Sequence, residues 1–482
     1  MTEAFAEHRR PCYHRRMERP PTIWLLNPYH TGSHRAWAEG YAAHSRHRVR
    51  ILGMTGSFWK WRLLRGALEL AEQARALPAT GERPDLLLAT SMVNLPAFLA
   101  LVRREIATVP TVLYMHENQL TYPPPPGAKR DLTFGMIQHL SMLAADRVCF
   151  NSAYHLESWF SQAPRLLKHF PDYTHLETVE RARAKSGVLP VGCDLARFDG
   201  YEARQGDKET RGAAPLILWN QRWEYDKDPG TMLRALYALT DEGLDFRVAL
   251  AGENFRVQPA EFEEARARLG DRLVHYGYAE SKVDYARLLW DADIVLSTAI
   301  HEFFGVSIVE AIYCGCLPIL PRRLSYPELI PAEWHDRCLY DDFDGLLARL
   351  RAAVAAPQMP QTLRAAMARF DWQALAPVYD ALLAAVGSGG KRERRNEERE
   401  RRGGGPVTDS PIHPLSHSLM RHSLIRPSSL VLRRSPAPPP APPAYRARLE
   451  IPRTPPTAPR AANPPLRPDP ICGRKCQRLL RA

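Results

Sequence analysis

Two glutamates bracket most of the stretch HEFFGVSIVEAIYCGC, residues 301–316, and the residues between them suit the binding of an anion. The apolar run from Asp293 to Ala299 reads as a buried parallel strand feeding a helix whose first turn carries Gly305, Val306 and Ser307. A helix N-terminus aims free backbone N–H groups and the positive end of its dipole at whatever lies above the sheet, which favours phosphate or diphosphate. Glu302 precedes this helix and Glu310 lies about one and a half turns into it, so both carboxylates can face one crevice at the carboxyl end of the sheet. Carboxylate acceptors beside an anion site suit a ligand that carries both phosphate and hydroxyl groups.

Three further constellations fit such a site. The run Asn220-Gln-Arg-Trp-Glu-Tyr-Asp-Lys227 follows a predicted strand, and places Arg222 and Lys227 in a strand-end loop. Two cations there can hold a diphosphate, Arg as a fork and Lys as a point charge, and stabilise the charge that grows as it departs. The plain alternative is a solvated loop in which they pair with Glu224 and Asp226. His116 ends another predicted strand, in Tyr114-Met-His-Glu-Asn118, where it either serves the structure or hydrogen-bonds a substrate hydroxyl. Gly32, Ser33 and His34 form a predicted tight turn after the first strand, where glycine permits close backbone approach to a ligand.

Other motifs carry less. Asp291-Ala-Asp293 resembles an Asp-x-Asp metal motif but lies where a helix ends and a buried strand begins, and no metal site is assigned to it. Cys314-Gly-Cys316 reads as small buried residues at a helix end. The run Phe58-Trp-Lys-Trp-Arg62 either stacks on bases or sugars or packs a helix start against the sheet, and the sequence leaves both open.

The elements that must position these groups follow from the hydrophobic pattern. Predicted strands at 23–27, 48–52, 85–89, 111–116 and 147–151 alternate with helices at 36–45, 59–76, 95–104, 132–144 and 153–162. Residues 188–191 close this half. A second half repeats the alternation, with strands at 216–220, 246–251, 273–276, 293–297, 317–320 and 338–340 and helices at 230–240, 259–269, 282–290 and 343–355. The fold class is α/β: two Rossmann-like, doubly wound parallel-sheet domains facing a cleft. The expected boundaries are a disordered leader (1–20), an N-terminal acceptor-side domain (21–192), a C-terminal nucleotide-sugar domain (193–386) and a disordered tail (387–482), with a polar linker at 200–214 and a closing helical stretch at 361–386.

The formal charge of +12 invites a nucleic-acid reading, yet its distribution is uneven. Residues 391–482 hold 20 Lys and Arg against 7 Asp and Glu, which leaves 45 basic and 46 acidic residues, a net of −1, for the rest. The tail also holds 18 of the 43 prolines, a composition that cannot bury enough apolar surface to offset ordering. Eight cysteines are sparse for 482 residues and suit a reducing, cytoplasmic setting. With no apolar run of about 18 residues, integral membrane association is not expected.

The chain resembles retaining glycosyltransferases of the GT-B fold, in the family 4 group. HEFFGVSIVE matches that group's Glu-x7-Glu motif, and Arg222 with Lys227 its Arg-x4-Lys pair. More narrowly, YHTGSH, SFWKWR, LYMHENQLTYP, FNSAYH, NQRWEYDKDP and STAIHEFFGVS resemble the tRNA-queuosine alpha-mannosyltransferase family over about residues 22–380, with Thr31 where that family commonly has glycine. The resemblance implies transfer of mannose from GDP-mannose, with retention, to queuosine at the wobble position of tRNA of the tRNA-Asp type. No metal or other cofactor is implied. It implies that Glu310 binds the donor ribose, Glu302 the sugar hydroxyls, and Arg222 and Lys227 the diphosphate, with Gly305, Val306 and Ser307 adding backbone donors. His116 would line the sugar site, joining Glu302 as the catalytic pair, and Gly32, Ser33 and His34 would form the acceptor-side loop. The implied partners are a nucleotide sugar and queuosine-containing tRNA.

Two other readings stand beside this one. The same machinery can serve another nucleotide sugar and a glycan, lipid or small-molecule acceptor, and a body of net charge −1 favours that mildly, since tRNA calls for a basic surface. Lys60, Arg62, Arg65, Lys129 and Arg130 are the residues from which a local basic patch would be built. A non-catalytic binding protein that keeps the fold is the third reading, and intact Glu302, Glu310, Arg222 and Lys227 argue against it.

Overall fold

A computed structural model of the chain describes residues 19–77, 81–106, 108–125, 127–202, 214–252 and 260–401. The expected leader up to residue 18, most of the linker, the start of the 259–269 helix and the tail beyond residue 401 lie outside the described residues.

The first half is a six-stranded sheet of β1 (Thr22–His30), β2 (Arg48–Thr55), β3 (Leu86–Thr90), β4 (Thr111–Met115), β5 (Arg147–Phe150) and β6 (Ser186–Val188), in the order β2-β1-β3-β4-β5-β6. The second half is built from β7 (Leu216–Trp219), β8 (Arg247–Ala251), β9 (Leu273–Gly277), β10 (Ile294–Leu296), β11 (Leu317–Pro321) and β12 (Leu339–Tyr340), in the order β12-β11-β10-β7-β8-β9. Every pairing is parallel. Strands β3, β4 and β11 are buried at every position, as unbroken apolar runs covered by helices on both faces must be. Side-chain caps start several of the covering helices: Asn94, Asp131, Ser152, Asp228, Ser281 and Asp342 each accept a first-turn backbone N–H.

Four departures from the sequence reading have physical causes. The tight turn expected at 30–34 is absent: β1 runs to His30 and a helix, Gly32–His44, begins at once, so Gly32, Ser33 and His34 form its first turn. Thr31 between them is extended (φ −153°), a conformation open to any residue, so the glycine common at this position is not required. The helix expected at 95–104 breaks at Val102 into Leu95–Leu101 and Arg103–Ile106. The helix Glu177–Ala184 was not foreseen, because its ETVERARA sequence is short and polar and only Thr178, Val179 and Ala182 turn inward.

The fourth departure concerns the C-terminus. The closing helix splits into Gln361–Met367 and Trp372–Arg401, so the chain is helical past residue 387, where disorder was expected. The long helix also returns to the first half. Trp37 Nε1 donates to Tyr379 Oη (3.1 Å), while Asp380 accepts from Tyr41 Oη (2.9 Å), Ser45 Oγ (2.6 Å) and the Arg46 N–H (2.8 Å). Trp372 is buried against Gly40 of the first half and Gly192 at the crossover. A Cβ on Gly40 would sit 2.1 Å from Trp372 Nε1. Gly40→Ala is therefore expected to lower stability by roughly 1–3 kcal/mol through overpacking. Urea unfolding of the variant measures this, and an unchanged midpoint would show that the indole yields freely.

Candidate active site at the facing switch points

In doubly wound sheets ligands bind beyond the carboxyl ends of the strands, where the strand order reverses. In the second sheet that point lies between β7 and β10, adjacent in space and separated in sequence by β8 and β9. The loop after β7 carries Arg222 and Lys227, and the loop after β10 carries Glu302 and Gly305. In the first sheet the order reverses between β1 and β3, and the chain beyond β1 leads directly into Gly32, Ser33 and His34. Topology thus accounts for the convergence of motifs far apart in sequence.

Lys227 is the best-enclosed cation of the site. It ends a 3-10 turn, Tyr225–Lys227, and its side chain is buried. Its Nζ donates to the His301 carbonyl (2.9 Å) and to Glu302 Oε2 (3.0 Å), with Asp226 Oδ2 at 3.5 Å. The two loops are tied by backbone as well: Ile300 and His301 N–H groups donate to the Asp226 carbonyl, and Thr298 Oγ1 donates to the carbonyls of Lys227 and Asp228. Glu302 Oε1 accepts from the N–H groups of Phe303 and Phe304 (3.1 and 3.3 Å). Burial alone would raise the Glu302 pKa; the charge and hydrogen bond of Lys227 and the backbone donors outweigh it and hold the carboxyl below its usual range.

Arg222 is half exposed. One guanidinium nitrogen meets Glu224 (2.6 Å), and the other meets Tyr122 Oη (3.2 Å) and Asp226 (3.7 Å). The alternative of a loop paired with its own acids therefore holds in part, yet Tyr122 belongs to the first half and also donates to Asp226 (3.3 Å). Glu310 is held apart from this network. Its oxygens accept from Arg197 (2.9 Å) and Tyr285 Oη (3.0 Å), and burial raises its pKa against the pull of Arg197. Asn220 bridges Tyr285 Oη (3.1 Å) and the Ser307 carbonyl (3.0 Å), fixing the helix Val306–Tyr313 against the β7 loop. Gly305 precedes that helix with φ +99°, a left-handed conformation suited to glycine. The first-turn N–H groups of Val306 and Ser307 have no acceptor among the described residues.

The first half contributes histidines. His34 and His116 lie ring to ring at 4.3 Å, His116 packed on Trp37 and Tyr114 and His34 against Tyr29, while Ser33 is exposed. Across the cleft, His301 contacts Tyr122 (4.4 Å) and Phe303 (4.4 Å), and Phe303 stacks on His155 (3.9 Å). Each of the four rings has one nitrogen with no hydrogen-bond partner: Nδ1 of His34 and Nε2 of His116, His155 and His301. Among the described residues no cluster of three or more His, Cys, Asp or Glu is arranged to hold a metal. Asp293 Oδ2 accepts the Leu216 N–H at the start of β7, and Cys314 and Cys316 are buried free thiols.

Tyr122, Asp226, Arg197, Tyr285 and His301 were not assigned from sequence. Tyr122 and His301 lay inside quoted motifs, but their cross-cleft contacts carry no local signal. Arg197 and Tyr285 reach Glu310 from segments separated from it by 113 and 25 residues.

Burial pushes His34 and His301 down to about 4, with Lys227 adding to it at His301, and pushes His116 and His155 well below their ordinary value. All four are neutral in the folded protein near neutral pH. Below about pH 6.5 the unfolded chain binds protons that the folded chain refuses, so each of these histidines costs stability as the pH falls. These histidines should therefore make stability fall from pH 6.5 toward 5, with protons taken up by them on unfolding. Urea titrations across this range check it, and a flat profile would contradict neutral burial.

Comparison with known proteins bears on both halves. Residues 22–193 match the family described as tRNA-queuosine alpha-mannosyltransferase N-terminal, and residues 202–366 match glycosyl transferases group 1. The chain is 34% identical over 317 residues to the tRNA-queuosine alpha-mannosyltransferase of Drosophila melanogaster, covering 65% of this chain and 82% of that protein. It is 28% identical over 216 residues to a GDP-mannose-dependent alpha-(1-6)-phosphatidylinositol dimannoside mannosyltransferase of Mycobacterium tuberculosis, covering 44% of this chain and 55% of that protein. Sucrose-phosphate synthase from Thermosynechococcus elongatus superposes with a TM-score of 0.58 at 17% identity, over 76% of this chain and all of that one. Anabaena HepE in complex with UDP superposes with a TM-score of 0.55 at 16% identity, over the same shares, and both likenesses establish the GT-B fold. No helix among the described residues is long and apolar enough to cross a membrane. With similarity running through both halves and most of the Drosophila protein's length, this chain is a glycosyltransferase that belongs to the tRNA-queuosine alpha-mannosyltransferase family.

Proposed function

We propose that the chain transfers mannose from GDP-mannose to the cyclopentenediol of queuosine at the wobble position of tRNA, in tRNA-Asp, with retention at the anomeric carbon. The observation that carries the donor side is the meeting of Lys227, Arg222 and the open N–H groups of Val306 and Ser307 at one switch point. Lys227 spends two of its three N–H donors on His301 and Glu302, which leaves the third for a phosphate oxygen. Arg222, half exposed, supplies the fork, and Glu310 retains lone pairs for ribose hydroxyls beyond those taken by Arg197 and Tyr285. Glu302, kept ionised by Lys227, accepts from the hydroxyls of the sugar, and neutral His116 lines the sugar site from the other half.

The bond from the mannose anomeric carbon to the diphosphate oxygen breaks as a bond forms to the acceptor hydroxyl on the same face. The acceptor's proton passes to the departing phosphate. Lys227 and Arg222 stabilise the charge that leaves, so the reaction needs no metal. The name of the mycobacterial relative, which specifies GDP-mannose, supports that donor, and the name of the Drosophila relative supports the acceptor.

The test is incubation with queuosine-containing tRNA and either GDP-mannose or UDP-glucose, followed by digestion and mass analysis of the nucleosides. The expected result is a hexose added to queuosine from GDP-mannose alone, unaffected by chelator, with Glu302→Ala slowing transfer at least about 100-fold, or 2.7 kcal/mol. Unmodified queuosine with the wild-type enzyme would refute the acceptor. Full activity of Glu302→Ala would refute the site.

A further inference from the structure

The aromatic run at 58–61 divides in the structure. Trp59 turns inward onto Phe134 (5.1 Å), whereas Phe58 is 77% exposed and Trp61 52% exposed. Phe58 has φ +52°, a left-handed conformation that a bulky residue rarely adopts, and its carbonyl accepts the N–H groups of Trp61 and Arg62. A strained backbone that presents a phenyl ring to water has no intramolecular return, which points to an intermolecular one.

The charged residues between 58 and 66 are of one sign. Lys60 and Arg65 are exposed, Arg65 lies over the Trp61 ring (5.7 Å), and Arg62 bonds the Thr55 carbonyl (3.0 Å). Lys60, Arg62 and Arg65 form no ion pair among the described residues, and the first turn of the helix Trp59–Ala76 contains no acid. Arg130, from the basic patch suggested by sequence, is not part of this surface: it braces the carbonyls of Gln119 and Tyr122. The platform also lies beside the acceptor side of the cleft. Thr55 pairs with His30, Gly56 abuts Thr31, and Thr31 leads into the turn whose His34 touches His116.

We infer that Phe58 and Trp61 form a stacking platform for unpaired RNA bases next to the modified nucleoside, with Lys60, Arg62 and Arg65 neutralising the adjoining phosphates. Exposed aromatic rings set among cations that have no carboxylate partner are the composition that binds single-stranded nucleic acid, and bases of a loop are free to splay and stack. The inference rests on the proposed tRNA acceptor and adds where the RNA lies. Leu64 and Leu68 continue the exposed face along the helix and are apolar, which a protein partner would also use. Leu68, about two turns from Trp61 and beyond Arg65, is the control.

The experiment uses the full chain and two readouts: anisotropy of a fluorescent anticodon stem-loop RNA, and steady-state transfer to queuosine-containing tRNA. The expected result for Phe58→Ala/Trp61→Ala is at least tenfold weaker RNA binding and a matching rise in KM for tRNA, with kcat within threefold. Phe58→Tyr/Trp61→Phe should restore both, Leu68→Ser should change neither, and Lys60→Gln/Arg65→Gln should reduce the slope of log K against log salt by about 1.4. Wild-type affinity in Phe58→Ala/Trp61→Ala, absence of stem-loop binding by the wild type, or a loss confined to the leucine variant would overturn the inference. Stem-loop binding without transfer by the wild type would instead count against the proposed reaction.

Discussion

An ammonium group withdrawn from water sets the terms for the rest of the cleft. Lys227 is buried, so its charge must be met by anions, and removing one partner of a buried pair of this kind costs about 3–5 kcal/mol. Glu302 supplies the counter-charge, and backbone donors to the other Glu302 oxygen keep that carboxylate aimed and ionised. The loops after β7 and β10 are therefore locked to one another by charge as well as by the Asp226 and Thr298 hydrogen bonds. A carboxylate whose position is fixed by a cation in this way is already oriented for substrate hydroxyls, and the cation for phosphate.

The same economy of contacts joins the two halves. Tyr122 reaches from the first half to Arg222 and Asp226, and Tyr225 Oη of the second donates to the Pro123 carbonyl (2.6 Å). Glu328 of the second half accepts the first N–H groups of the helix Ala153–Leu167, from Ala153 (2.8 Å) and Tyr154 (2.5 Å), and Ser152 Oγ donates to the Phe303 carbonyl (2.6 Å). These are polar contacts at the rim, where a helix dipole favours the carboxylate. The apolar joint lies elsewhere, where Trp372 and Tyr379 of the returning helix fill the space against Trp37, Tyr41 and Gly40.

Strand positions were legible in the sequence because parallel strands buried on both faces are unbroken apolar runs, as at Leu86–Thr90 and Leu317–Pro321. The placing of Arg222, Lys227 and Glu302 was legible because each follows such a run at a strand end, and that of Glu310 because it lies in the helix that the run before it feeds. Illegible features depend on pairing at a distance or on short polar segments. The helix Glu177–Ala184 has little apolar face to read, and the return of the C-terminal helix to the first half is decided by Trp372 and Tyr379 meeting residues over 300 positions earlier. The partners of Glu310 were hidden for the same reason. The aromatic run at 58–61 was ambiguous in sequence since it does both things: Trp59 packs, while Phe58 and Trp61 face solvent.

The most direct test of the role given to Lys227 is the affinity of the protein for GDP, measured by titration calorimetry for wild type, Lys227→Met and Glu302→Gln. If Lys227 receives the diphosphate and Glu302 receives only the sugar, Lys227→Met weakens GDP at least about 100-fold, near 2.8 kcal/mol, and Glu302→Gln stays within about threefold of wild type. Wild-type affinity in a folded Lys227→Met variant would contradict the account.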